Sequence, residues 1–448
     1  MAQKNLSWKQ RLFYTIRTGD EDRNRMIAVV NNLILHLHPT TVPAQAVRFS
    51  YTWGLGGISA VLASLLVITG LMLMFRYDAS VDRAYLSIQI LETQVPFGSL
   101  FRAVHHWSAN LLVVTVFLHL LRVFLTGGYK KGRSMNWLVG VGLLLIVLGF
   151  NFTGYLLPWD QLAYWAITVS TSLLSYIPLV GQSISNFFLG GPTVGQGALR
   201  NFYALHVALL PTLLVTLMAY HFWKVRKSGG ISQSPRTDGQ PVERITTIPN
   251  LVQVELAVAM IVIVAVLIWS MLVPAPLGDL ANPANSPNPA KAAWYFLGLQ
   301  ELLLHMHPLA AIALVVIVLA GLIILPYIDR NIANIGIYFR SATGRKTILT
   351  SAFLALYLIP SLVVVDEFWL DLPAMLPSLP TFLSNGLIPL ALILAGLGTL
   401  YSLNRRLLKA NQSEAIAGLV AFILSSLIVL TLIGNFFRGA NMALMLPF

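Results

Sequence analysis

The 448-residue sequence contains no cysteine. That absence excludes a disulfide, a thiolate-held iron–sulfur cluster and a thioether-linked haem on this chain, so any redox centre must be held through nitrogen or methionine sulfur. Charge is scarce too: Asp, Glu, Lys and Arg make up 10% of residues, against about 25% in a soluble domain. The long apolar runs lack the in–out alternation of barrel strands, which excludes a membrane β-barrel. No cleavable leader pattern opens the chain, because residues 1–50 are polar and basic and "NNLILHLH" is too short to span.

What the sequence has in abundance is apolar length. Hydrophobic residues make up 56% of it and the mean hydropathy is +0.74. Nine runs suit a hydrocarbon core of about 30 Å crossed by helices of roughly 17–25 residues: 55–76, 103–126, 137–157, 202–223, 251–273, 308–327, 347–365, 387–403 and 415–436. The expected fold is all-α and polytopic. The net charge of +12 has a topological reading rather than a nucleic-acid one. With the N-terminus inside, 23 of the 29 Lys and Arg residues fall on the inner side, which is the positive-inside bias. Nine spans then put the C-terminus outside.

The expected organisation begins with an amphipathic surface segment at 1–50. A four-helix block at 51–230 and the polar linker 231–245 follow, then a three-helix block at 246–370 and an extra helix pair at 371–448. Two long outer connections, near 158–201 and 274–307, carry little charge and are expected to fold back over a site.

Histidine carries the chemistry. The second run holds His105, His106 and His119, and the fourth holds His206 and His221. At 100° per residue, His105 and His119 return to within about 40° of one face, His206 and His221 lie about 60° apart, and His106 sits about 140° from His119. The rises are about 21 Å and 22.5 Å, so each helix presents one imidazole near each membrane surface. The two runs are parallel, which sets His105 level with His206 and His119 level with His221. Two facing pairs can ligate two haems with no open site for oxygen, a design for electron transfer. Buried polar glue is the bland alternative, but four ionisable groups at matched depths in a bilayer argue against it. His106, off the face, has the structural reading.

Gly56 and Gly70 in the first run, and Gly140 and Gly154 in the third, repeat the 14-residue interval. A flat macrocycle needs close backbone approach, which glycine allows.

These residues resemble the cytochrome b subunit of Rieske/cytochrome b complexes, the quinol–cytochrome c or plastocyanin reductases. The likeness covers about 40–230 and rests on "RAVHHWSAN", "LHLLRVFLTGGYKKGR", "GFNFTGYLLPWDQLAYWA", "TVGQGALRNFYALH" and "HFWKVRKSG". The 15-residue interval from His206 to His221, with "TGYLLPWDQ", looks like the plastoquinol branch. Residues 246–365 resemble that branch's separate three-helix subunit, fused here, and 385–448 match no counterpart. The resemblance implies a low-potential outer haem on His105 and His206 and a higher-potential inner haem on His119 and His221. It implies that Arg102, Arg122 and Arg133 meet haem propionates. A quinol-oxidation pocket is implied between the Tyr155, Pro158, Trp159 corner and Trp294, Tyr295, Phe296, with a quinone-reduction pocket near Arg226. Implied partners are a Rieske iron–sulfur protein, a c-type cytochrome, membrane lipid and a second copy of the complex. The rival readings are a di-haem anchor of a dehydrogenase or hydrogenase, and a transporter with structural histidines.

Two departures from the family pattern bear on chemistry. Gly54 stands where the plastoquinol branch has the cysteine that tethers an extra haem, so no covalent haem can form there. The family's "PEWY" reads "AAWY" here, with Ala293 in place of the glutamate credited with taking a quinol proton. Glu301 is the expected replacement through a pKa raised by burial, with Asp160 and His305 behind it. The missing glutamate and the fusion point toward a bacterial menaquinol enzyme.

Overall fold

The computed structural model describes residues 37–234 and 241–445, among which nine helices are long and apolar enough to cross a membrane. In chain order the helices used below are α1 (Leu55–Met74), α2 (Gly98–Leu125) and α3 (Ser134–Leu156). Short helices α4 (Gln161–Leu174) and α5 (Gly181–Leu189) lead to the long α6 (Gln196–Lys227) and then α7 (Val252–Leu272). The short α8 (Leu297–His305) precedes α9 (Pro308–Ile328), α10 (Ala342–Phe368), α11 (Ile388–Arg406) and α12 (Gln412–Phe436).

All nine spans fall on the expected runs, and several reach further because caps recruit polar residues. Asn411 accepts from the Glu414 N–H while the Glu414 side chain returns to the Asn411 N–H, a capping box that starts α12. Asp160 caps α4 through the Ala163 N–H at 2.9 Å, and Ser341 caps α10 through Gly344. Of the expected surface segment at 1–50, residues 1–36 lie outside the described residues. The fold is not wholly helical: Thr41–Pro43 (β1) pairs antiparallel with Arg244–Thr246 (β2), tying the start of the first block to the start of the second. The linker is likewise no open tether at its beginning, since Ser232 is buried and its carbonyl accepts from the Tyr51 hydroxyl at 2.9 Å.

In the first block α1 packs on α2 and α3 on α6, around buried Leu62, Val104, Leu112, Val113, Val147 and Leu214. In the second, α12 packs along α10 and against α8. Ionic groups pin α12 at both ends. At the end where the basic loops gather, Asp329 accepts from Lys130 at 2.7 Å and Arg340 at 2.9 Å, and from the hydroxyls of Tyr129 and Ser413. Burial works to raise the Asp329 pKa, but these donors outweigh it and hold the carboxyl below its usual value. Lys130, buried beside the Arg340 cation, falls to about 8 in spite of its bond to Asp329. At the opposite end Arg438 plays the matching part, described below.

Candidate functional site

The two histidine pairs face each other across the four-helix bundle. Ring centroids lie 6.3 Å apart for His105 and His206, and 6.4 Å for His119 and His221. A metal–imidazole bond is about 2.0 Å and a ring nitrogen lies about 1.1 Å from the centroid, so two imidazoles on one metal have centroids about 6 Å apart. Both pairs have the separation that one axially ligated iron requires.

The 15-residue interval in α6 carried an expected 60° misalignment. The helix offsets it with a π-turn at Leu205–Leu209, which contains His206. A π-turn takes one more residue per turn than α-helix, so the interval acts as 14 and matches the His105–His119 interval of α2, within about 40° of one face.

Each glycine sits against the ring of a histidine on its helix's antiparallel neighbour. A Cβ on Gly70 would lie 3.2 Å from His105 Cε1 and one on Gly56 3.2 Å from His119 Cε1. On Gly154 it would lie 2.6 Å from His206 Cε1, and on Gly140 3.7 Å from His221 Cε1. The glycines were expected to admit a macrocycle; the contact they make is with the imidazoles, which lets α1 lie close on α2 and α3 on α6.

Two hydroxyls escaped the sequence reading. Thr69 Oγ1 donates to the Leu65 carbonyl at 2.7 Å and lies 2.9 Å from His105 Nδ1. Thr153 Oγ1 donates to the Gly149 carbonyl at 2.8 Å and lies 3.1 Å from His206 Nδ1. With its proton spent on a carbonyl, each hydroxyl is left to accept from Nδ1–H, which fixes the tautomer and turns the Nε2 lone pair inward. The signal was a Thr-Gly step at Gly70 and at Gly154; Gly56 and Gly140 follow Leu55 and Val139.

The arginines divide. Arg102 is buried and bonded to Glu92 and to the carbonyls of Ala275 and Pro276. Arg133 spans the carbonyls of Gly230 and Ser228 at 2.7 and 3.0 Å. Both guanidinium groups close the protein's own loops. Arg122 is different: it lies over the Tyr51 ring at 4.7 Å, and among the described residues neither its buried Nη2 nor the buried Asn136 Oδ1 has a partner. A buried unpaired donor is costly, and a carboxylate arriving beside His119 and His221 would satisfy it. Arg226 lies half-buried in the last turn of α6. Gly54 adopts φ +60, where a side chain would be strained and its Cβ would meet Phe49 and Val258 at 3.3 Å.

At the end of the bundle where α3 leads into α4, a cavity of about 260 Å³ lies between α4 and α8, lined by Phe152, Leu162, Ala166, Ala292, Phe296 and Gln300 among others. Tyr295 donates to the Asn151 carbonyl at 3.3 Å and Trp294 to Asn110 Oδ1 at 2.6 Å, which seats the "WYF" segment on α2 and α3. Trp159 is buried against Tyr164. Asp160, besides capping α4, accepts from the Gly278 N–H at 3.0 Å. Trp159 and Asp160 thus hold the 278–281 segment through an isolated β-bridge and the Ala281 N–H bond to the Trp159 carbonyl, while Tyr155 sits half-buried on the last turn of α3.

Glu301 requires a correction. It is fully buried but lies outside the cavity lining and faces α12, with its carboxyl 2.7 Å from Arg438 Nη2 and 3.2 Å from His305 Nε2. Burial raises its pKa, yet the bonds from His305 and Arg438 and the Arg438 charge win and leave it below the ordinary value. His305 is held in turn by Asp366 at 2.6 Å, and despite burial its pKa rises to about 9 through Asp366 and Glu301. These are members of an ion-pair cluster, not a raised-pKa base at a quinol. Among the described residues lining the cavity, none carries a carboxylate.

The family model described as cytochrome b/b6/petB matches residues 41–229. The cytochrome b6 proteins of Acaryochloris marina (strain MBIC 11017) and Porphyra purpurea are each 44% identical over 175 residues, which is 39% of this chain and 81% of theirs. A chain of a solved structure titled "Hyperthermophilic respiratory Complex III" covers 86% of this chain and 91% of its own length at TM-score 0.61 and 21% identity, a likeness of fold. With four fifths of the b6 chains matched at that identity, and the histidines opposed at two depths within the matched region, this integral membrane protein belongs to the cytochrome b/b6 family, the cytochrome b of bc-type complexes.

Proposed function

We propose that the chain is the quinone-handling core of a proton-translocating quinol oxidoreductase, with its N-terminus inside and C-terminus outside. The family implies b-type haems. His105 with His206, and His119 with His221, are the residues that would hold two of them. Bound there, the haems supply a one-electron conduit across the membrane. The chain's own residues do the rest. Thr69 and Thr153 hold the Nδ1 protons of the outer ligands, Arg122 offers its free donor to a propionate at the inner site, and glycines keep the ring-bearing helices in contact.

The outer cavity, flanked by Phe152 and Phe296, suits a quinol head group in a mostly apolar setting. Oxidation of a quinol to a quinone yields two protons and two electrons. In this reading the protons leave outward, one electron passes to a Rieske iron–sulfur partner and on to a c-type cytochrome, and the other crosses inward to a quinone near Arg226. The complex is read as a homodimer and its quinone as menaquinone. The cavity between α4 and α8 favours this over a di-haem anchor, which needs no outer quinol pocket.

The observation that carries the reading is the pair of imidazole separations at 6.3 and 6.4 Å. A reduced-minus-oxidised spectrum of the purified protein tests it: two b-type haems per chain are expected, with His105→Leu and His119→Leu each losing a different one. Absence of b-type bands, or retention of both haems in either variant, overturns it.

A further inference from the structure

Residues 282–293 form the wall of the outer cavity that carries Pro287, Ala290, Lys291 and Ala292. This stretch has neither helix nor strand, so no regular hydrogen bonding of its own holds its shape. Its anchors come from elsewhere. On the α8 side, Gln300 Oε1 accepts from the Ala292 N–H and Gln300 Nε2 donates to the Ala290 carbonyl, both at 2.7 Å. On the α4 side, Gln161 accepts from the Asn282 N–H and donates to the Asn285 carbonyl, and Trp165 Nε1 donates to the Asn282 carbonyl at 3.3 Å. The anchors at Asn288 and Lys291 come from the end of α12 and the turn after it. Lys291 Nζ donates to the Asn435 carbonyl at 2.8 Å. Asn288 Nδ2 donates to Asn441 Oδ1 at 2.8 Å, while Asn288 Oδ1 accepts from the Asn441 N–H.

The turn that presents Asn441 is itself rigid. Arg438 and Leu444 form a β-bridge, the Met445 N–H donates to the Phe437 carbonyl at 2.8 Å, and Arg438 reaches both the Met442 carbonyl and buried Glu301. Asn441 lies at φ +54, in the left-handed region.

We propose that this turn is a positioning clamp for the quinol cavity, and that Asn441, through Asn288, sets the shape of the wall against which the quinol head group binds. The inference rests on the cavity being the quinol site. A preformed wall lowers the ordering cost of binding, so the clamp acts on quinol affinity rather than on the electron-transfer step.

The test compares Asn441→Gly, Asn288→Ala and the double variant in the intact complex. Glycine keeps the left-handed backbone and removes only the side chain. Ala166→Phe, which fills the cavity directly, is the reference. Asn441→Gly keeps the N–H that donates to Asn288 Oδ1, so we expect KM for quinol to rise about twofold there, about fivefold in Asn288→Ala and no further in the double, with kcat, haem content and both midpoint potentials unchanged. If Ala166→Phe raises KM and the asparagine variants do not, or if they lose haem and folded protein in step with activity, the clamp is refuted. If Ala166→Phe also leaves KM unchanged, the cavity is not the quinol site and the proposal falls with that reading.

Discussion

Replacing Gly154 by alanine puts the histidine–glycine packing to a graded test. The new Cβ would stand 2.6 Å from His206 Cε1, 3.1 Å from Nδ1 and 3.4 Å from Nε2. To restore ordinary contact the ring must shift by about 0.8 Å in a close-packed interior, whereas metal–ligand distances tolerate about 0.2 Å. The helix itself gains about 0.5–1 kcal/mol from losing a glycine, but overpacking costs about 1–3 kcal/mol. Displacement of an axial ligand should weaken haem binding by about 10- to 100-fold. Gly56→Ala and Gly70→Ala, each at 3.2 Å, should fall between, and Gly140→Ala at 3.7 Å should be neutral or slightly stabilising. Haem-to-protein ratios of the four purified variants, with redox titration to separate the two haems, give the order. Equal losses in Gly140→Ala and Gly154→Ala, or two wild-type haems in Gly154→Ala, would refute the reasoning.

Thr69→Val and Thr153→Val remove acceptors for Nδ1–H, make the outer imidazoles poorer donors to iron, and should raise the outer midpoint potential by about 40 mV each while the inner one stays fixed. A shift of the inner potential instead would contradict the assignment. Arg122→Gln removes a cation with a free buried donor at the inner site and should lower the inner potential by about 60 mV or more, read in the same titration. Glu301→Gln leaves Arg438 partly unpaired and should destabilise the protein by about 3 kcal/mol, measured by thermal unfolding, with the pH profile of quinol oxidation unchanged; a displaced profile would restore Glu301 as a base. His305 is held above the ordinary imidazole value of 6.5, so its contribution to stability is complete below about pH 6.5 and is lost as pH rises through about 9. Melting temperature should therefore fall across that window, and His305→Gln should flatten the fall.

What the sequence disclosed follows from periodicity. Nine apolar runs and a 14-residue histidine interval are local patterns, and helical geometry turns them directly into spans and facing ligands. The glycine interval was equally legible, but its partner was not, since an interval says how far apart two residues lie and nothing of what they touch. The π-turn was hidden because one surplus residue leaves no compositional mark. Glu301 was misread because its fate depends on Arg438, 137 residues away; burial was foreseeable and its compensation was not. Likewise nothing near Asp329 announced that Lys130, Arg340 and Ser413 would converge on it from three different elements.

The wide turn at Leu205–Leu209 has a consequence for how length and register are related in this helix. Because the surplus residue bulges rather than rotating everything beyond it, one codon could be lost there without moving either His206 or His221 relative to the opposite helix. The same loss between His105 and His119, where α2 is regular throughout, would swing one imidazole by about 100°. Chain length is thus free to drift on one side of the bundle and fixed on the other.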